Sequence, residues 1–394
     1  MTKGENMKRR FSFRFILYLA LLPGFLFSFC PNASAIVYNL QAGIKTITMP
    51  DGASITMWGF GPVGGEITIP GPVLRVPSND STLTINLTNN LPEAVSIIIP
   101  GQVATLSPVR FTDSKGRQRV RSFTHETPPG GTASYTWNNI KEGTYIYQSG
   151  THMAVQVQMG LYGSVVKDYA QNEAYPGINY DKEVLLVFSE IDPELHAAVA
   201  NGTFGTPLYP STIDYLPKYF LINGVPYPDA TIPADNILGT NDTILLRLIN
   251  AGLKTHVPTI PERYFEVISE DGNPYPYGRT KYTVMLPAGK TKDAVVTLPS
   301  AKRYPLFDRR FYLTTNEVSP GGMLMYIDTV EPCIGDLNND KDVDAFDLVI
   351  FISEYGRTDC SQANPCVADL NSDGRVDFVD LLILAANFGR TNCP

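Results

Sequence analysis

Ten oxygen-bearing side chains stand in two matching rhythms: Asp336, Asn338, Asp340, Asp344 and Asp347, then Asp369, Asn371, Asp373, Asp377 and Asp380. Counted from the first aspartate, each set occupies positions 1, 3, 5, 9 and 12. Carboxylate and amide oxygens are hard ligands, and calcium gathers about six to eight of them. At this spacing a twelve-residue loop wraps one ion, with a main-chain carbonyl at position 7 joining the set. Asp342 and Arg375 occupy position 7 and would contribute through the backbone. The expected load is two calcium ions. A second group of candidates is softer. Imidazole and thioether both suit copper, and the chain offers, among others, His152 with Met153, His256, Met323 and, from the loop FTHETPPGG, His125.

The acidic loops need short elements to hold them. Cys333–Cys360 and Cys366–Cys393 align without a gap as 28-residue units at a period of 33. After each loop comes an apolar stretch, Leu348–Ile352 and Leu381–Ala385, which can run as a helix packed on its counterpart. One loop with one exit helix is half an EF-hand. Its duplication, with Asp in place of Glu at position 12, resembles the dockerin modules that plug exported proteins into cohesin receptors. The resemblance covers residues 333–394 and implies a cohesin-like or other extracellular partner. Two departures stand out. Lys341 sits at position 6, where the loop favours glycine, while Gly374 obeys the rule. Ala345-Phe346 and Phe378-Val379 replace the small hydroxylated residues that help well-known dockerins choose a partner. The alternative is a calcium-stapled terminal domain with no partner.

Cys333, Cys360, Cys366 and Cys393 bracket the repeats, as disulfides in an oxidising compartment would. Three pairings are possible. A helix of about ten residues is about 15 Å long, which puts the two ends of one repeat beyond the roughly 7 Å reach of a bridge. If the repeats pack antiparallel, the pairs are Cys333 with Cys393 and Cys360 with Cys366.

Ahead of the repeats the chain reads as mainly β. Short apolar runs, Ile55–Trp58, Thr82–Leu87, Ala133–Trp137, Thr144–Tyr147, Val184–Phe188, Ile244–Ile249 and Tyr282–Leu286, are separated by turn signals among 32 Gly and 31 Pro. GPVLRVPSNDSTLTINLTNNLPEAVSIIIPG (71–101) and GTYIYQSGTHMAVQVQMGLYG (143–163) resemble the first cupredoxin domain of multicopper oxidases. FLINGVPYPDA (220–230), LLRLINAGLKTHVPTIPERYFEVISEDG (245–272) and PGGMLMYID (320–328) resemble a later one. The resemblance implies two Greek-key cupredoxin-like sandwiches, 36–168 and 180–329, followed by the small helical calcium domain at 333–394.

Multicopper oxidases hold a mononuclear copper with one cysteine, histidines and often a methionine, and a trinuclear cluster with histidines alone. Carried over position by position, Ile98 and Pro100 stand where the family has His-x-His. Gln148 and then His152 stand for His-Ser-His, while His256, Thr259 and Pro261 stand for His-x-x-His-x-His. Tyr312, Leu313 and Thr314 stand for His-Cys-His, and Met323 keeps the thioether place. The chain has four histidines, at 125, 152, 196 and 256, and no cysteine between residues 31 and 332. A reduced copper site on His152, His256 and Met323 is one outcome. The other is that these histidines hydrogen-bond within a sandwich that binds no metal.

Residues 1–35 read as an export signal: Lys8, Arg9, Arg10 and Arg14 precede the apolar run Phe15–Phe29, and Ala33-Ser34-Ala35 offers small residues for cleavage. The secreted chain from Ile36 holds 26 basic and 38 acidic residues, a net charge of −12. Residues 331–394, with twelve acidic and four basic residues, carry −8 of it. That balance argues against nucleic acid. The Tyr-Pro clusters VPYPDATIP and NPYPYGRTKY are expected on exposed loops. Three functions follow: a secreted binding or structural component assembled through its calcium tail, a copper oxidoreductase with a reduced site, or a member of an extracellular polysaccharide-degrading complex. Glu190, Asp192 and Glu194 lie close in sequence, but spacing alone does not make them a glycosidase pair.

Overall fold

The computed structural model describes residues 34–391 and 393, apart from 105–106, 234–235, 332 and 362–363. Of the leader expected over residues 1–35, residues 1–33 lie outside the described residues, while Ser34 and Ala35 open the first strand. Residues 33–394 form one compact unit, and among the described residues no helix is long and apolar enough to cross a membrane.

The first sandwich contains β1 (Ser34–Thr48), β2 (Ser54–Pro62), β3 (Gly71–Val76), β4 (Asp80–Asn89), β5 (Val109–Thr112), β6 (Gln118–Ser122), β7 (Thr132–Asn138), β8 (Gly143–Gln148), α1 (Met153–Gln156) and β9 (Tyr162–Lys167). One sheet runs β2-β1-β4-β7, the facing sheet β3-β9-β8, and β5-β6 is a separate ribbon. β4 shows why this region is strand. Leu83, Ile85 and Leu87 point inward and are fully buried, while Thr84, Asn86 and Thr88 alternate outward. Each of those buried aliphatics contributes about 1.5–3 kcal/mol. Trp58, Phe60, Trp137 and Tyr147 complete the core between the sheets.

After the small hairpin β10 (Glu173–Tyr175) and β11 (Ile178–Asn179) come β12 (Lys182–Ile191), α2 (Pro193–Ala200), β13 (Tyr219–Ile222), β14 (Leu238–Gly239), β15 (Thr243–Asn250), β16 (Pro258–Thr259), β17 (Phe265–Glu270), β18 (Asn273–Lys281), β19 (Thr291–Thr297), β20 (Arg303–Asp308) and β21 (Leu324–Val330). They form a sheet β13-β12-β15-β19-β17-β18 facing β14-β21-β20-β16. β15 is buried on both faces, so its run TILLRLIN is largely apolar, with Arg247 in its midst, rather than alternating, and it pairs parallel to β12. Ile146, Val157 and Tyr162 of the first sandwich pack on Val187, Ile249 and Ala251 of the second.

Two expectations need correction. Tyr282–Leu286 is not a strand; its last residue makes only a bridge to His256. The ladder lies just before it, in β18, where NPYPYGRTK was expected to be loop. β18 is the outer strand of its sheet, a place where Pro274 and Pro276 cost no ladder bonds to a second neighbour. Its register against β17 jumps between Val267 and Ser269, leaving residues 275–278 outside regular pairing.

The C-terminal helices α3 (Ala345–Glu354) and α4 (Phe378–Asn387) start three residues earlier than the apolar stretches suggested. Capping boxes explain the start: Asp344 and Asp377 are N-caps, with Asp347 and Asp380 reaching back to the cap backbone. Val343, Phe351, Val376 and Leu384 form the core between them.

Candidate functional site

The two acidic loops are built alike down to their hydrogen bonds. Asp347 Oδ1 accepts from Leu337 N at 2.7 Å and Asn338 N at 3.2 Å, while Oδ2 accepts from Asp344 N at 2.7 Å. Asp380 repeats this with Leu370 N at 2.9 Å, Asn371 N at 3.1 Å and Asp377 N at 2.8 Å. Asp336 and Asp369 each accept two backbone N–H groups from the middle of their own loops. In the first loop, oxygens of Asp336, Asp340 and Asp347 come within 4.8 Å of one another. Asp347 and Asp380 are fully buried, yet neither has an ion-pair partner among the described residues. Buried charge is ordinarily paired or bound to a metal. The fold here gathers acceptor oxygens and, among the described residues, pairs neither Asp347 nor Asp380 with a cationic side chain.

A local two-fold relation holds the loops together. Gly389 N donates to Val343 O and Gly356 N to Val376 O, both at 2.8 Å. Val343 N returns to Arg390 O and Val376 N to Arg357 O, both at 2.9 Å. The exit of each helix is thus stitched to the opposite loop, the antiparallel packing on which the cysteine argument depended. The disulfides are Cys333–Cys393 and Cys360–Cys366, with Cα atoms 5.3 Å apart in each. Lys341 has φ of +76° and Gly374 has +89°, so both loops make the same left-handed turn and only one does so with glycine.

The histidines have different fates. His256 is fully buried. Its Nε2 lies 2.7 Å from Glu190 Oε1 and its Nδ1 3.0 Å from Asp308 Oδ2. Carboxylates only accept, so both ring nitrogens donate, as an imidazolium does. Glu190 also accepts from Leu253 N, Lys254 N and the Tyr215 hydroxyl. Asp308 takes Val257 N and Arg310 N. Glu190 is therefore committed to structure, as is Asp192, which caps α2. Burial works against charge on His256, but hydrogen bonds and attraction from Asp308 and Glu190 hold its pKa above the ordinary value. A raised folded value makes this contribution complete below the unfolded pKa, near 6.5, and lost as pH rises through the folded one. Chemical denaturation from pH 6 to 9 should show stability falling across that window, and His256→Gln should flatten the fall. An unchanged slope in the variant would locate the effect elsewhere.

Met323 is buried in the second core, and its N donates to Tyr312 O at 2.8 Å. The Tyr312 ring stands edge-on to His256 at 5.8 Å and stacks on Phe220 at 4.2 Å. His256 and Met323 are thus brought into one neighbourhood. His152 is not part of it. It is exposed, adopts φ of +42°, and borders a cleft of 480 Å³ lined by Glu93, Met153, Val155, Val199 and Phe204. His125 stacks on Tyr135 at 4.4 Å and meets Ser134 O through Nε2 at 3.1 Å. Ile98 and Gln148, aligned with separate ligand motifs, pair directly through N–H···O bonds of 2.9 and 3.0 Å.

Residues 41–171 match the family described as multicopper oxidase, and residues 334–388 match the dockerin type I domain. The chain thus carries a multicopper-oxidase-like segment and, after it, a dockerin type I-like module. Its multicopper-oxidase-like part is 27% identical over 274 residues to Laccase-7 of Oryza sativa subsp. japonica, an alignment spanning 68% of this chain and 45% of that one. It is 30% identical over 173 residues to L-ascorbate oxidase of Cucumis sativus, covering 44% of this chain and 27% of the relative. The chain therefore spans less than half the length of either. Among solved structures, a blue copper oxidase from Nitrosomonas europaea aligns with a TM-score of 0.61 at 19% identity, over 75% of this chain and 86% of that one. This last likeness speaks for the cupredoxin-like fold alone.

Sequence reasoning missed a polar network between the sandwiches. Arg247, fully buried in β15, donates to Glu183 Oε2 at 2.6 Å, to Thr144 Oγ1 at 3.1 Å and to Asp168. Asp293, also fully buried, accepts from Thr144 at 2.5 Å, Tyr175 at 2.6 Å and Ser269 at 2.8 Å. The available signal was an arginine in the middle of the apolar run LLRLIN.

Proposed function

We propose that this chain is a secreted binding or structural component, whose cupredoxin-like sandwiches are a scaffold and whose dockerin-like module, loaded with two calcium ions, docks on a cohesin-like receptor. The carrying observation is the pair of buried carboxylates, Asp347 and Asp380, each closing an oxygen-lined loop with no ion-pair partner among the described residues. In this reading Asp336, Asn338, Asp340, Asp344 and Asp347 hold one ion with the Asp342 carbonyl. Asp369, Asn371, Asp373, Asp377 and Asp380 hold the other with the Arg375 carbonyl.

The residues present do not fit the family's copper centres. No cysteine lies between residues 31 and 332, Leu313 stands at the thiolate position, and His256 spends both nitrogens on carboxylates. A second reading, a reduced copper site, draws support from His152. Its left-handed backbone beside Met153 and a cleft is the sort of strain that functional sites retain.

Elemental analysis and an absorption spectrum of residues 36–394, after loading with copper and calcium and desalting, separate the two. Two calcium ions without copper is the expected result. About one copper per chain would overturn the scaffold reading and bring His152 forward for mutagenesis.

The loops also differ in a testable way. A side chain forced into the left-handed region costs about 1–2 kcal/mol, so Lys341→Gly should tighten calcium in the first loop about fivefold or more. Titration calorimetry on both proteins measures this, and equal affinities would mean that the turn does not limit binding.

A further inference from the structure

The ribbon β5-β6 stands apart from both sheets of its sandwich. Arg110 pairs with Val120, Phe111 with Arg119 and Thr112 with Gln118. It is tied at its base, where Phe123 N donates to Gly150 O and His152 N to Arg121 O, both at 3.1 Å. Beyond that base both faces are exposed, including Phe111 at 44% and Val120 at 38%. A lone two-stranded ribbon is marginal in water, and this one contributes nothing to the core beneath it.

Its charge is opposite to that of the chain. Residues 109–122 carry Arg110, Lys115, Arg117, Arg119 and Arg121 against Asp113 alone, a net of +4 in a chain of net −8. The rest of the sequence therefore sums to −12. Arg119 and Arg121, two apart, share one face of β6 about 7 Å from each other, with Phe111 paired opposite Arg119 on that face, while Arg110 and Val120 pair on the other. The guanidinium groups already engage carboxylates within the chain: Arg117 and Arg119 meet Asp113 at 2.8 and 3.1 Å, and Arg121 meets Glu126. These arginines stay about half exposed, with 55%, 50% and 41% of their side chains open to solvent. Arg110 and Lys115 have no ion-pair partner among the described residues.

We propose that residues 109–122 form a docking arm for a linear polysaccharide bearing carboxylates. Forked donors spaced along the arm match carboxylates repeated along a chain, and Phe111 beside Arg119 on one face and Val120 beside Arg110 on the other give each face an apolar patch for a sugar ring. The charge complementarity is with an acidic polymer, since the remainder of this acidic protein repels one. The arm lies outside the calcium module, so the proposal does not depend on what that module docks with.

The probe is a fluorescein-labelled oligogalacturonate, titrated by anisotropy with the full secreted chain at sub-millimolar calcium. Binding should weaken steeply with salt, and Arg110→Ser/Lys115→Ser/Arg119→Ser should bind at least tenfold more weakly, with melting temperature and circular dichroism unchanged. Lys115→Glu, a single change at the exposed turn, gives the same test if the triple variant does not fold. Equal binding by the variants, equal binding to a neutral dextran, or tighter binding to polyglutamate or single-stranded DNA of matched charge would each overturn the proposal.

Discussion

Arg247→Leu is expected to cost about 3–5 kcal/mol, the usual penalty for removing one partner from a buried ion cluster. The guanidinium satisfies Glu183 and Asp168 and faces Asp293, which burial would otherwise leave as uncompensated charge. Burial alone would make the arginine easier to deprotonate, but those three carboxylates hold its pKa above the ordinary value. The damage should be directional. Thr144 and Asp168 come from the first sandwich side and Glu183, Ser269 and Asp293 from the second, so the variant should lose the coupling between them. Urea denaturation followed in parallel by tryptophan fluorescence, which reports the first core through Trp58 and Trp137, and by circular dichroism, which reports both sandwiches, reads this. Two separated transitions, or one with a much lower midpoint, are expected. Arg247→Lys should rescue little, because an ammonium cannot span the same forked contacts. A loss under about 1 kcal/mol would show that the network is not the clamp.

Calcium removal should have an effect of similar size, confined to the C-terminal module. Saturating an ion site at a thousand times its dissociation constant adds about 4 kcal/mol, and there are two such loops to fill. Calorimetry of the full chain should therefore show one transition that moves down by tens of degrees on chelation and another, from the sandwiches, that does not. Asp347→Ala and Asp380→Ala should each abolish binding in one loop and strip three backbone N–H groups of their acceptor. A tail transition indifferent to chelator would remove the basis for the calcium assignment.

What was legible in the sequence depended on how far apart the interacting residues lie. The loops and helix caps were readable because each is a pattern confined to about a dozen positions. Helix length excluded one of the three cysteine pairings, and the observed one, Cys333 with Cys393 and Cys360 with Cys366, followed only on the further premise of antiparallel packing. The buried strands announced themselves by alternation, as in β4, or by largely apolar character, as in β15. The fate of His256 was not readable, since its partners are 66 and 52 residues away and only strand pairing brings them to it. Arg247 was obscured for the same reason, with Glu183 and Thr144 at separations of 64 and 103. β18 was misread because two prolines and two tyrosines within nine residues look like a turn. Nothing local says that this segment is the outermost strand.

The bond between Cys333 and Cys393 turns the calcium module into a closed ring on a single stalk. Tension arriving along the stalk at Glu331 divides at once between two arms instead of running through the loops in series. A partner gripping α3 or α4 is thus pulling on a hoop, and the hydrogen bonds that stitch each helix exit to the opposite loop lie across the hoop as spokes. On the docking proposed above, such a hoop would carry load between a receptor and the sandwiches without paying out chain.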